Sequence, residues 1–148
     1  MHAVLRTIIL GLATALAAPA GAGEGLDDTV RNHVLARFDA EARALMQDLG
    51  ARPVASRWDG AGRTLIAVGE LAGPASWRNV AYPRSPATDR GYLERHHLER
   101  LCRHPALALI AGFLEEHDIS LSFVYTRGPA QLAPLVVDID HSDLAACT

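Results

Sequence analysis

The sequence contains no lysine, and all 14 of its basic residues are arginine. Chemistry that depends on a lysine amine, such as a Schiff base or the phosphate-binding lysine of a P-loop, is therefore excluded. The chain also lacks a Gly-x-Ser-x-Gly nucleophile elbow, a glycine-rich phosphate loop and a Cys-x-x-Cys pair. Its formal net charge of −3 disfavours nucleic acid as a partner, because phosphates require a basic surface. These absences favour a protein that is not an enzyme.

The N-terminal residues have the pattern of a secretory signal peptide. Arg6 precedes the apolar stretch TIILGLATALAA. Two motifs with small residues at their first and third positions, residues 18–20 and 20–22, predict cleavage after Ala20 or Ala22. The apolar stretch is short for a membrane span, so we expect cleavage and no stable membrane anchor afterwards. We therefore predict a signal peptide over residues 1–22 and a single domain over residues 23–148. The mature protein is expected in the periplasm or outside the cell.

The sequence has only two cysteines, Cys102 and Cys147, and both lie in the predicted mature chain. An even number of cysteines in an exported protein indicates a disulfide. A bridge between them would close a loop of about 45 residues and stabilise the fold by about 4 kcal/mol. A free catalytic thiol or a thiolate metal ligand is the alternative.

Hydrophobic periodicity predicts one α+β domain with the order helix, two strands, loop, two helices, two strands. Adjacent strands joined by short turns favour antiparallel pairing. We expect a two-layer fold, in which helices cover one face of a four-stranded, mostly antiparallel sheet. The predicted elements are, in chain order, a helix over 26–49, strands over 54–58 and 63–71, helices over 89–103 and 105–118, and strands over 119–126 and 134–140.

The run LERHHLERLCRHP, residues 93–105, concentrates histidines and a cysteine in one segment. Glu94 and His97 are three residues apart, which places them on one face of a helix, and His104 lies two turns beyond His97. These three side chains would be the ligands of a zinc site. The following proline interrupts the helix, however, and His97 lies within the apolar stripe. A structural helix with a partly buried histidine is favoured, and zinc remains the alternative.

The segment DIDHSD, residues 138–143, begins like a calcium-binding loop. The match then fails, because Asp143 occupies the position that requires glycine and the chain ends before the required glutamate. We interpret the segment as an acidic strand end that leads into a tail. Asp138 and Asp140 would join the metal alternative only if the last strand passes near the histidines.

The loop over residues 72–91 holds three prolines and two aromatic residues. Trp77, Arg78 and Tyr82 belong to the residue types that dominate binding hot spots. The sequence therefore favours a small exported binding or accessory protein, an adaptor or inhibitor of another exported or envelope protein, with these three residues as its contacts. A divalent-metal-binding protein or metal-dependent enzyme is the alternative. An envelope subunit that dimerises through its sheet edge is a third interpretation.

Overall fold

A computed structural model describes residues 26–71, 86–127 and 133–147. Its elements are α1 (Asp28–Asp48), β1 (Ala51–Asp59), β2 (Thr64–Leu71), α2 (Pro86–Cys102), α3 (Leu107–His117), β3 (Ser120–Arg127), β4 (Leu135–Ile139) and α4 (His141–Ala145). The predicted signal peptide lies outside the described residues. None of the helices within the three described ranges is long and apolar enough to cross a membrane.

The four strands form one mixed sheet in the order β1-β2-β3-β4. The pairs β1–β2 and β3–β4 are antiparallel, whereas β2 and β3 are parallel. A parallel pair needs a long crossover connection, and here the connection contains α2 and α3. The predicted α+β class and the order of the elements are confirmed. Two of the three strand pairings are antiparallel, as expected.

The helices pack on one face of the sheet, where alternate strand residues are buried. Phe123 lies at the centre of this layer, because its ring contacts Phe38 of α1 and His97 of α2 at centroid distances of 5.8 and 4.4 Å. Helix α1 passes closely over β2 at Gly69, where a Cβ atom would lie 2.8 Å from the Met46 sulfur. A side chain at this position would therefore force the Met46 side chain to move.

The ends of α1 follow the sequence prediction, but the start of α2 does not. The Asp27 carboxylate accepts a hydrogen bond from the Thr29 backbone N–H at 3.0 Å, and Gly50 follows the helix with a φ of 71°. The sequence predicted that α2 begins at residue 89. The helix instead begins at Pro86, a residue that suits the first helical turn, so Asp89 lies inside that turn and is buried.

The C-terminal segment corrects the prediction of an acidic tail. Asp140 is the N-cap of α4, and its carboxylate accepts from the backbone N–H groups of Ser142 and Asp143. The Asp143 carboxylate in turn accepts from the Asp140 N–H at 3.0 Å, which completes a capping box. Leu144 is then buried in the core. The aspartates of DIDHSD thus start a short helix, a role that the calcium-loop comparison did not include.

Candidate functional site

The histidine run spans the end of α2 and the turn into α3. Helix α2 ends at Cys102, and α3 begins at Leu107. The Ala106 backbone N–H donates to Nδ1 of His104 at 3.1 Å, so this histidine closes the turn between the helices. The break that Pro105 predicts is confirmed, and His104 does not continue the helical face that carries His97.

His97 is fully buried and uses both of its ring nitrogens. Nδ1 lies 2.7 Å from the carbonyl oxygen of Leu93, and Nε2 lies 2.7 Å from the Tyr125 hydroxyl. A carbonyl can only accept, so Nδ1 carries the proton and donates to it. Nε2 is then the acceptor, and the Tyr125 hydroxyl donates. The neutral imidazole and the phenol therefore satisfy each other across the boundary between α2 and β3.

Burial sets the electrostatics of this pair. Removal from water lowers the pKa of His97 to about 4, an effect that the neighbouring His96 reinforces and the hydrogen bond to the Leu93 carbonyl opposes. Burial also raises the pKa of Tyr125 well above its ordinary value. Both groups are consequently neutral near pH 7. The pair forms a polar core contact in which each donor has an acceptor.

The structure does not gather the residues of the zinc alternative into a ligand group. Within residues 26–71, 86–127 and 133–147, no three histidine, cysteine, aspartate or glutamate side chains form a cluster that could hold a metal ion. Glu94 is exposed, and the Nε2 atom of His104 lies 3.8 Å from the Glu41 carboxylate. Because Nε2 of His97 accepts from a tyrosine, a metal would have to displace that hydrogen bond. The zinc alternative stays a prediction.

His96, next to His97, has a different environment. Its ring stacks on Tyr92 with a centroid distance of 6.4 Å and an interplanar angle of 16°. Its Nε2 atom is buried and has no hydrogen-bond partner among the residues that the structure describes. Burial lowers the pKa of His96, and the nearby Glu99 carboxylate opposes this effect. The two adjacent histidines thus differ, because His97 is fully buried and hydrogen-bonded, whereas His96 is only partly buried.

The disulfide between Cys102 and Cys147 is present, as predicted. It joins the last residue of α2 to the residues that follow α4, with a Cα–Cα distance of 5.3 Å. Helix α4, which the sequence did not predict, lies between the last strand and Cys147. Among the described residues no cysteine is free, so neither thiol serves as a nucleophile in this state.

The remaining acidic candidates have structural contacts. The Ser122 hydroxyl donates to the Asp138 carboxylate at 2.7 Å across the β3–β4 pair. Hydrogen bonds from Ser142 and from the Asp143 N–H lower the pKa of Asp140. Asp138 lies in β4, and Asp140 is the N-cap of α4. Neither belongs to a metal-binding group within the described parts of the chain.

Trp77, Arg78 and Tyr82 lie outside the described residues. The segment that contains them begins after Leu71, at the end of β2, and ends at Pro86, where α2 starts. Both attachments are firm, because Leu71 and, further along the helix, Leu93 are buried in the core. The register of β2 and β3 pairs Leu71 with Arg127, so the two parallel strands finish at the same end of the sheet.

Sequence reasoning did not identify Tyr125 as the partner of His97. The alternation of ISLSFVYT places Tyr125 on the buried side of β3, and a buried phenol requires a hydrogen-bond partner. A histidine in the apolar stripe of the preceding helix is the complementary signal.

Comparison of the chain with protein-family models, with curated proteins and with solved structures gives no match.

Proposed function

We propose that the protein is a small exported binding or accessory protein, an adaptor or inhibitor of another exported or envelope protein. Its contact residues in this proposal are Trp77, Arg78 and Tyr82. The observation that carries it is where the segment 72–85 is attached. It connects β2, which finishes at the buried Leu71, to α2, which is anchored by the buried Leu93, and it follows the end of the sheet where both parallel strands finish. A rigid scaffold that holds a connecting segment in this way is typical of binding proteins.

The parallel pairing of β2 and β3 distinguishes one end of the sheet from the other. Ligands of sheets with parallel strands bind at the carboxyl ends of those strands, where the connections to the following elements begin. Leu71 and Arg127 are register partners at the carboxyl ends of β2 and β3. At the opposite end of the sheet, β1 and β2 are joined by a short turn, which offers few side chains to a partner.

The disulfide supports the part of the proposal that concerns export. Disulfides form and persist in oxidising compartments, such as the periplasm and the extracellular space. The Cys102–Cys147 bridge agrees with the signal-peptide pattern of residues 1–22, although the two observations are independent. Together they favour a mature protein that works after export.

The first test is the mass of the protein purified from an exporting host. Loss of about 20 N-terminal residues, and a gain of two hydrogens on reduction, would support an exported, disulfide-stapled protein. A native mass without metal would favour the binding function over the metal alternative. A stoichiometric zinc ion with both thiols free would instead overturn it in favour of the metal alternative at Glu94, His97 and His104.

The second test identifies the partner. The processed protein is used to capture exported proteins, and a captured candidate is purified so that its dissociation constant is measured by calorimetry. We expect Trp77→Ala to weaken binding at least tenfold, because such residues supply more than 1 kcal/mol at hot spots. Tyr92→Ala is the matched control, since Tyr92 is an exposed aromatic on α2.

Arg78→Ala and Tyr82→Ala are expected to weaken the same complex. Arg95→Ala is the control for the arginine, because Arg95 is exposed on α2. If all three loop substitutions leave the dissociation constant unchanged while Tyr92→Ala weakens it, the binding residues are assigned wrongly. If no exported protein forms a complex with the wild type, the proposed function itself is contradicted.

A further inference from the structure

The second face of the sheet carries alternate residues that point away from the helices. We define the open face as these residues of the four strands. The register arranges them in rows across the sheet. One row consists of Ala55, Val68, Val124 and Val136. The next row consists of Arg57, Ile66, Ser122 and Asp138.

The first row is apolar over all four strands. Val68, Val124 and Val136 are half-buried, and Ala55 at the β1 end is exposed. Ile66 in the neighbouring row extends this apolar surface and is also half-buried. Among the described elements, the helices contribute their buried residues to the core on the other face. These residues form a continuous apolar strip across the sheet, on which another apolar surface could pack.

The second row ends in opposite charges. Arg57 is exposed at the β1 end and forms no salt bridge with any residue that the structure describes. Asp138 is exposed at the β4 end and accepts a hydrogen bond from Ser122. Three strand spacings, about 14 Å, separate the two edge strands. The two charges are therefore too far apart to pair within one chain.

A second copy of the chain brings these charges together. A two-fold axis that runs parallel to the strands, between β2 and β3, turns one sheet face to face onto another and lays β1 over β4 of the second copy. Arg57 then faces Asp138 of the second copy, and the symmetry repeats this ion pair. The same operation sets Val68 against Val124, and Ala55 against the larger Val136.

The alternative two-fold axis, which runs across the strands, has no such complementarity. It stacks β1 on β1 and β4 on β4 and therefore brings like charges to the same side. We propose that the open face binds a second copy of this chain through the axis parallel to the strands, with two Arg57–Asp138 ion pairs beside the valine row. This dimer differs from an association through a sheet edge, because the strands of the two copies do not pair.

The open face is narrow, because the two edge strands are about 14 Å apart. We therefore expect a reversible dimer that dissociates on dilution. The inference does not rest on the proposed function. Its residues lie on the strands, whereas the proposed partner contacts lie in the segment 72–85.

The experiment reverses each charge and then recombines the variants. Arg57→Glu and Asp138→Arg are each made in the processed full-length protein, and their masses are followed by sedimentation and light scattering over micromolar to submillimolar concentrations. We expect each variant alone to self-associate at least tenfold more weakly than the wild type. A mixture of the two is expected to form a heterodimer. In that heterodimer the glutamate introduced at position 57 of one chain faces the arginine introduced at position 138 of the other, while the native pair remains on the opposite side.

Two controls separate the charge effect from damage to the fold. Arg95→Glu makes the same charge change on the exposed side of α2 and should leave self-association unchanged. Ser122→Ala removes the hydrogen bond to Asp138 without changing charge, so any loss from that bond is measured separately. If Asp138→Arg does not fold, Ala55→Arg places a bulky charge against Val136 of the second copy and is expected to weaken the dimer at least tenfold.

The proposal has clear contrary results. A wild-type protein that remains monomeric at every concentration overturns it, and so does a dimer that Arg57→Glu and Ala55→Arg both leave intact. Dimers of the single variants that do not exchange into a heterodimer would show a different symmetry and would also overturn it. Partner binding by Trp77 and its neighbours would be unaffected by these results, so the two proposals fail separately.

Discussion

The two faces of the sheet use polar residues in opposite ways. On the covered face, His97 and Tyr125 are fully buried and satisfy each other's hydrogen bonds. On the open face, Arg57 and Asp138 are exposed at the two edges of the sheet. Alternation along the strands places Tyr125 on one face and Arg57 and Asp138 on the other, while His97 reaches the covered face from α2. Polar groups on the covered face should therefore control stability, and those on the open face should control association.

Removal of the disulfide is expected to have the largest effect on the covered side. Cys102→Ala combined with Cys147→Ala removes the bridge between α2 and the C-terminal end of α4. We expect the free energy of unfolding to fall by about 4 kcal/mol, because the unfolded chain loses the restriction of a loop of 45 residues. Urea unfolding of the oxidised wild type and the double variant measures this difference. A loss below about 1 kcal/mol would show that the hydrophobic core alone holds α4 in place.

The second prediction concerns acid, and it depends on His97. Its pKa is about 4 in the folded protein and 6.5 in the unfolded chain, so the unfolded chain binds more protons between these values. Stability from this group is complete above pH 6.5 and falls as the pH decreases towards 4. The total loss is about 3 kcal/mol, from 1.36 kcal/mol for each pH unit between the two pKa values.

Unfolding free energies of the wild type and His97→Gln, measured from pH 7.5 to pH 4, test this slope. The variant is less stable at neutral pH but should show a flatter dependence on pH. His96→Gln is a comparison in the same direction: the pKa of His96 is also lowered, so this variant should flatten the curve as well, but less than His97→Gln because His96 is less buried. Parallel curves for the wild type and His97→Gln would show that protonation of His97 is not coupled to unfolding.

The third prediction compares one hydroxyl on each face. Tyr125→Phe removes the only described donor to Nε2 of His97 and leaves that buried nitrogen unsatisfied. We expect a loss of about 2 kcal/mol, within the range for an unpaired buried polar group. Ser122→Ala removes the hydroxyl that bonds Asp138, whose exposed carboxylate can bind water instead. Its expected loss is about 1 kcal/mol or less, and equal losses for the two variants would contradict the distinction between the faces.

Much of the fold could be predicted from periodicity and from turn residues. The clean alternation of ISLSFVYT identified β3 and its buried side, and the strands on either side of DGAG pair as an antiparallel hairpin. The two cysteines indicated the disulfide correctly, because a chain with only two cysteines has one possible intramolecular pairing. Local patterns of this kind depend on the chain near each element, and that information is in the sequence.

The site was less predictable because it depends on contacts between distant residues. His97 and Tyr125 are 28 positions apart, and their hydrogen bond follows from the way α2 packs on the sheet. Helix α4 was missed because its five residues are too few for helical periodicity to appear, although Asp140 and Asp143 supply a capping box. The pairing of β2 with β3 depends on the crossover connection and has no local sequence signal.

The smallest effect is expected for an ion pair on the open face. Arg52 and Glu70 are register partners on β1 and β2, and their side chains form an exposed salt bridge. Arg52→Ala should lower the unfolding free energy by less than about 1 kcal/mol, because water screens the attraction and both long side chains lose entropy by pairing. This small difference should disappear in 1 M salt, where the screening length is about 3 Å. Unfolding of the wild type, Arg52→Ala and Arg52→Lys at low and high salt measures it. A loss of about 2 kcal/mol that persists in salt would mean that this part of the open face is shielded from water. The contrast between the two faces would then hold only for the row that contains Arg57.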